Sequence, residues 1–329
     1  MNLTQEMSEF LVPEILDDLT HVEKELFEHL QSDPPLLGEI AHYLIAAGGK
    51  RVRPAFVLLG FRAAGGEDIE GVVPIAAAIE LIHTASLIHD DINDGSHMRR
   101  GQETTNRKYG NTNALVAGDY LFVKAFRIGG MYDWEVVKMI ADACAQLAEG
   151  EVLQDGNRFN TDLSLSEYLV TIEKKTASLI TSCVKVGAFL SGAEQPTVDA
   201  LAAYAHNVGM SFQITDDILD VKGSSTSIGK PRGNDIAEGQ LSIVLIKALE
   251  MLDETLAEEL RSIIKLGSKS PEQISRAIDL VLSTRALEES YILAQQYSDT
   301  ACAELMKLPE SDYRDNLELL NEMIIQRYY

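Results

Sequence analysis

Cysteine is scarce in this chain: Cys144, Cys183 and Cys302 are the only three in 329 residues. They are odd in number and scattered, which fits neither a zinc-ligand spacing nor a disulfide framework. Each falls in a helical run, so they read as small, buried or half-buried apolar residues in a reducing compartment. Proline is also sparse, and Pro13, Pro35, Pro54, Pro196 and Pro271 stand near helix starts or in loops. Alternating β-branched runs are almost absent, which excludes an extensive sheet. There is no Gly/Ser/Pro-rich linker and no low-complexity stretch, so one domain over residues 1–329 is expected. Basic residues are outnumbered 28 to 51, giving a net charge of −23, and such a chain repels nucleic-acid phosphates rather than binding them. The segment Met1–Glu6 has no basic or apolar character of a signal peptide. No run approaches the uncharged length of a membrane span. A cytoplasmic protein without a transmembrane segment is the expectation.

What is present is helical periodicity. Apolar residues recur at three- and four-residue spacing, predicting helices over 71–89, 111–130, 134–155, 166–190, 197–219 and 238–264, with three more in the C-terminal third. The stretch 74–88 is apolar nearly all round, the pattern of a helix at the centre of a core. The fold class is therefore all-α, with central helices wrapped by peripheral ones.

Two clusters carry the chemistry. Asp90-Asp91-Ile92-Asn93-Asp94 recurs in kind as Asp216-Asp217-Ile218-Leu219-Asp220, each at the end of an apolar run. Residues i and i+4 share a helix face, so Asp90 and Asp94 project together, as do Asp216 and Asp220. An acidic run is most often a solvated helix face, and one such pair would carry no information. Duplication at the ends of apolar helices is different, because like charges at this spacing destabilise a helix unless cations sit among them. Carboxylate oxygens with little His or Cys nearby suit Mg2+, whose usual further ligands are phosphate oxygens.

The few basic residues cluster where a diphosphate would need them. Gly48-Gly49-Lys50-Arg51-Val52-Arg53-Pro54 combines backbone freedom with cations at a helix start, a natural anion site. Arg99-Arg100-Gly101 follows Asp94 closely enough to bring guanidinium groups back to the first acidic cluster. Lys174-Lys175-Thr176 and Gly229-Lys230-Pro231 are weaker signals singly, and Gly223–Ser227 reads as a loop suited to a lid. His83 lies two turns before Asp90 on the same face; packing and anion donation are equally compatible with that position.

Taken in order, these stations resemble the trans-isoprenyl diphosphate synthases of the polyprenyl synthetase family. They are completed by Glu80-Leu81-Ile82-His83, Gln102-Glu103-Thr104, Gly118-Asp119-Tyr120-Leu121, Gly150-Glu151-Val152-Leu153-Gln154 and Phe212-Gln213-Ile214-Thr215, and span roughly residues 45 to 245. The resemblance implies an isoprenoid-synthase-like bundle of long helices around a deep central cavity, with both Asp clusters facing each other at its mouth. It implies that Asp90, Asp91 and Asp94, with Asp216 and Asp220, hold Mg2+ against an allylic diphosphate, with Arg99, Lys175 and Lys230 completing that site and Asp217 belonging to the catalytic cluster. It assigns isopentenyl diphosphate to Lys50, Arg53, His83 and Arg100. Thr176 and Gln213 would stabilise the allylic carbocation by their oxygen dipoles. A homodimer is implied, or a heteromer with a small subunit.

The same resemblance bears on product length. In the family, bulky aromatics one to two turns before the first Asp cluster stop the chain short. Here the positions are Ala85 and Ser86, with Ile82 and Ile79 further back, so a product beyond twenty carbons is expected, of the kind quinone side chains use. One departure stands out. The family's Gly-Lys-x-Thr-Leu-Pro segment reads Gly239-Gln240-Leu241-Ser242-Ile243-Val244, which loses a cation at Gln240; Val244 in place of proline predicts an unbroken helix. A terpene cyclase would not need Lys50, Arg53 and Arg100, and a purely regulatory subunit would not keep both Asp clusters.

Overall fold

The computed structural model describes residues 10–46, 48–99, 101–223 and 232–326. Its helices are α1 (Pro13–Glu28), α2 (Pro35–Ala46), α3 (Val52–Ala63), α4 (Val73–Asn93), α5 (Thr105–Tyr109), α6 (Asn111–Gly129), α7 (Trp134–Gly156) and α8 (Leu165–Ile172). A π-helical turn, Glu173–Ala177, leads into α9 (Ser178–Leu190), followed by α10 (Gln195–Lys222), α11 (Asn234–Glu238), α12 (Ile243–Met251), α13 (Glu254–Ile264), α14 (Pro271–Leu282), α15 (Ala286–Leu305) and α16 (Asp312–Gln326). The strands among the described residues are β1 (Met98–Arg99) and β2 (Gln102–Glu103), an antiparallel hairpin. The all-α class agrees with the periodicity, as do the helices predicted over 71–89, 111–130, 134–155 and 197–219; the first three helices were not among those predicted. Prolines begin α1, α2 and α14, where a missing N–H costs nothing.

The chain forms two compact units. The first comprises Met1–Ala141, Ser182–Ala202 and Leu308–Leu317. Its centre is α4, against which α1, α3 and α6 pack. Ile75 to Leu81 are buried without interruption, so α4 has no solvent face there. Close helix approach depends on glycine: a Cβ on Gly187 would lie 2.0 Å from the Val57 carbonyl oxygen, and one on Gly60 2.5 Å from that of Val184. The window Ile69–Asn93 is long and apolar enough to cross a membrane by length and composition, which corrects the expectation that no run reaches that standard. However, 72% of it is buried within the protein, as the core helix of a folded unit requires.

The second unit comprises Asp142–Thr181, Ala203–Lys307 and Glu318–Tyr329. Its core gathers Ile172, Ile214, Ile218, Ile243, Leu245, Leu260 and Val281. Capping boxes start α8, between Ser164 and Glu167, and α14, between Ser270 and Gln273. The predicted helix over 238–264 is not continuous. It stops at Gly239, whose φ of 74° is left-handed, resumes at Ile243, and is interrupted again where Asp253 caps α13. Replacing proline by Val244 therefore does not remove the break; Gly239 makes it.

Candidate active site

The first acidic cluster ends α4. Asp90 is half-buried, and Asp94 is exposed at the C-cap with φ −81° and ψ −8°, so the helical register carries through both. Carboxylates at a helix C-terminus oppose its dipole, costing about 0.3–1 kcal/mol each, so this arrangement suits a site that receives cations. Asp91 behaves differently. It is only 3% exposed, and Arg99 from β1 grips it through Nε (2.8 and 3.0 Å) and Nη2 (2.8 Å). Arg99 thus does return to the first cluster, but its fork is spent on Asp91.

The cationic loop precedes α3. Lys50 is exposed and Arg53 half-buried, within the helix's first turn, and no side chain caps that helix N-terminus. Arg51 takes the N-cap in a left-handed conformation, φ 48° and ψ 34°, which costs about 1–3 kcal/mol for a non-glycine residue. Its guanidinium is buried and donates to Glu23 Oε1 (3.2 Å), Glu80 Oε1 (2.9 Å) and the Ile45 carbonyl (3.0 Å). Bonds between charged groups contribute roughly 1.5–3 kcal/mol each, enough to offset that strain. His83 lies one turn beyond Glu80, and both line a cleft with Arg51, Leu87, Asp91 and Arg99. Ala85 and Ser86 are not part of that lining; Ala85 and Ile82 are buried, and the Ser86 hydroxyl donates to the His83 carbonyl. Arg100 lies outside the described residues.

The second unit carries the remaining candidate residues. Lys175 and Thr176 sit in the π-helical turn, a distortion often found at functional positions. Lys175 Nζ donates to Glu151 (2.7 Å) and to Gln154 Oε1 (2.5 Å). Gln154 Nε2 then donates to Gln240 Oε1 (2.7 Å), and Gln240 Nε2 to Glu238 (3.1 Å). The residue that departs from the family pattern is thus one side chain from Lys175. The Thr176 hydroxyl donates to Gln213 Oε1 (2.8 Å), and Gln213 Nε2 to Asp217 Oδ1 (2.9 Å). Asp217 also accepts from the Tyr168 hydroxyl (2.6 Å), and burial pushes its carboxyl up to about 6. Asp216 is half-buried, and Asp220 accepts from the backbone N–H groups of Asn234 (3.0 Å) and Asp235 (3.2 Å). Lys230 and the stretch Ser224–Ser227 lie outside the described residues.

Among the described residues, no three His, Cys, Asp or Glu side chains converge as a ready-made metal cage. The acidic side chains of both clusters nevertheless offer only carboxylate oxygen. That fits Mg2+, which is commonly held by one or two carboxylates plus substrate phosphate oxygens. The Asp91 carboxylate is engaged by Arg99, and that of Asp217 by Tyr168 and Gln213.

Four partners escaped the sequence reading: Glu80 and Glu23 on Arg51, Tyr168 on Asp217, and Gln154 between Lys175 and Gln240. Nothing local marks Tyr168 or Glu23. Glu80 carried a signal, a carboxylate inside an otherwise apolar helix, which must have a buried partner.

Comparison with known proteins bears on the whole chain. The polyprenyl synthetase family model matches residues 34–281. The heptaprenyl diphosphate synthase component 2 of Geobacillus stearothermophilus is 39% identical, covering 95% of this chain and 97% of that one. A short chain isoprenyl diphosphate synthase of Methanothermobacter thermautotrophicus is 40% identical, covering 89% and 91%. The crystal structure of a polyprenyl synthase from Caulobacter crescentus, complexed with calcium and isoprenyl diphosphate, superposes with a TM-score of 0.92 at 34% identity, covering 98% of each chain. With the ordered acidic and basic stations in place, the chain belongs to the polyprenyl synthetase family of trans-isoprenyl diphosphate synthases and is a prenyltransferase.

Proposed function

We propose that this prenyltransferase condenses isopentenyl diphosphate with an allylic diphosphate in a Mg2+-dependent reaction, releasing an all-trans polyprenyl diphosphate longer than twenty carbons. The observation that carries the length is the pair Ala85 and Ser86: no Phe, Tyr or Trp stands on α4 one to two turns before Asp90. Asp90 and Asp94, with Asp216 and Asp220, would hold Mg2+ for the allylic diphosphate, and Lys175, Arg99 and Lys230 add positive charge. Lys50, Arg53, His83 and Arg100 hold isopentenyl diphosphate. Held there, Mg2+ would supply positive charge that stabilises the diphosphate leaving group. Thr176 and Gln213 turn oxygen dipoles toward the resulting carbocation. The isopentenyl double bond attacks it, forming the new C–C bond, and the departing diphosphate takes the proton lost from the adduct. Water must be excluded while the cation exists, a task that suits apolar helices.

The protein works in the cytoplasm, which its three free thiols support. It pairs with a second copy through α6, where Leu115, Val116, Val123 and Phe126 are exposed apolar residues. A second reading, a catalytic chain that requires a small partner subunit, is favoured by the relative named as component 2 of a heptaprenyl diphosphate synthase. The test is to incubate the purified chain with Mg2+, isopentenyl diphosphate and farnesyl or geranylgeranyl diphosphate, then resolve the products by length. A single long product supports the proposal. Product no longer than twenty carbons refutes the length assignment, and no turnover favours the partner subunit.

A further inference from the structure

We propose that Arg51 is a positioning residue for the homoallylic half of the reaction: its buried guanidinium sets where Lys50 and Arg53 stand. The inference rests on the reading that Lys50 and Arg53 bind isopentenyl diphosphate. Arg51 is 4% exposed, and each of its three guanidinium nitrogens already donates to protein. It therefore has little to offer a substrate directly. What it does have is connection to four helices. Nε reaches Glu23 on α1, Nη2 reaches the Ile45 carbonyl in the last turn of α2, its own backbone opens α3, and Nη1 reaches Glu80 on α4. The Ile45 carbonyl also receives the N–H of Gly48 (3.1 Å), so one oxygen fixes both the start of the glycine loop and the residue that ends it. Lys50 immediately precedes Arg51, and Arg53 follows it by two residues.

The backbone requires such an anchor. A non-glycine residue at φ 48° is held there by its surroundings, and a relaxed φ at Arg51 would rotate the Lys50 peptide and tilt the first turn of α3 together. Glu80, which receives Nη1, lies one turn before His83 on α4, so the same ion pair ties the cationic loop to the helix carrying His83 and the first acidic cluster. A lysine cannot replace this arrangement, because an ammonium is a point charge without a fork aimed in three directions.

The test is steady-state kinetics of Arg51→Lys with Glu23→Gln as the milder variant, and Arg53→Ala as the control on the site itself. A folding defect lowers the active fraction, and so the apparent kcat, without moving KM. Arg51→Lys is expected to raise KM for isopentenyl diphosphate roughly tenfold, equivalent to about 1.4 kcal/mol, while KM for the allylic substrate stays within about twofold. Glu23→Gln keeps an acceptor oxygen but loses charge, and a rise of roughly threefold in the same KM is expected. If Arg51→Lys is insoluble, Glu23→Gln decides. Arg53→Ala raising KM for isopentenyl diphosphate while neither other variant does would overturn the positioning role alone. Arg53→Ala leaving that KM unchanged would overturn the assignment of the loop itself.

Discussion

Gly150→Ala tests how tightly the turn that carries Lys175 and Thr176 is packed. Gly150 is buried on α7 where that helix meets the π-helical turn. A Cβ there would lie 2.5 Å from the Lys175 backbone nitrogen, 2.8 Å from its Cα and 2.9 Å from its Cβ. Ordinary contact begins at 3.4 Å, so the shortfall against 2.5 Å is about 0.9 Å. The obstructing atoms are backbone and Cβ, which cannot swing aside as the end of a long side chain can. Overpacking of this kind costs about 1–3 kcal/mol, and the better helix propensity of alanine returns up to about 1 kcal/mol. The net loss should lower the melting temperature by a few degrees, about 2–4 °C per kcal/mol. The larger effect is on chemistry. Moving Lys175 and Thr176 by close to 1 Å should reduce kcat/KM roughly 100-fold, measured as labelled isopentenyl diphosphate incorporated into extractable product. Gly156→Ala is the control, since nothing lies within 4 Å of a Cβ at that position. Wild-type kcat/KM together with an unchanged melting temperature in Gly150→Ala would refute the close approach of α7 to the π-helical turn.

Three further outcomes are expected. Ala85→Phe should shorten the product, read by chromatography of the dephosphorylated alcohols; unchanged length would remove that face of α4 from the chain's path. Asp217→Asn should lower kcat by roughly 10- to 100-fold by releasing the Gln213 amide while leaving the Mg2+ half-saturation concentration as it is, because that carboxylate is turned toward Tyr168 and Gln213. A marked rise in the Mg2+ requirement would instead make Asp217 a metal ligand. Gln240→Lys should lower KM for the allylic diphosphate by roughly threefold, since an ammonium there stands beside Glu238 and one side chain from Lys175; no change in that KM would separate position 240 from the allylic site.

Much of this molecule is legible in local spacing. The three- and four-residue periodicity places the long helices, the uninterrupted apolar stretch marks α4 as the core helix of its unit, and Asp90 with Asp94 share a face because five consecutive residues span little more than one turn. The free thiols follow from cysteine scarcity, and the prolines mark helix starts. Those features depend on neighbours in sequence, and the chain carries that information outright. Pairings between distant residues do not announce themselves in this way. Asp91 and Asp217 look equivalent to the other aspartates in the repeated pattern, yet one is held by Arg99 and the other buried under Tyr168, 49 positions away. Arg51 reads as one more cation of the loop, but packing encloses it against Glu23 and Glu80. The break after α11 was not legible in the sequence, whose periodicity predicts a helix straight through Gly239; there the φ is left-handed, and the Phe159 ring fills the space a Cβ would need. The sequence by itself determined which residues form helices and which carboxylates share a face, because both follow from a fixed rise and twist per residue. The tertiary structure alone decided that Asp91 meets Arg99, that Asp217 meets Tyr168 and that Arg51 meets Glu23 and Glu80, because a buried charge is settled by whatever partner the fold brings within hydrogen-bonding distance.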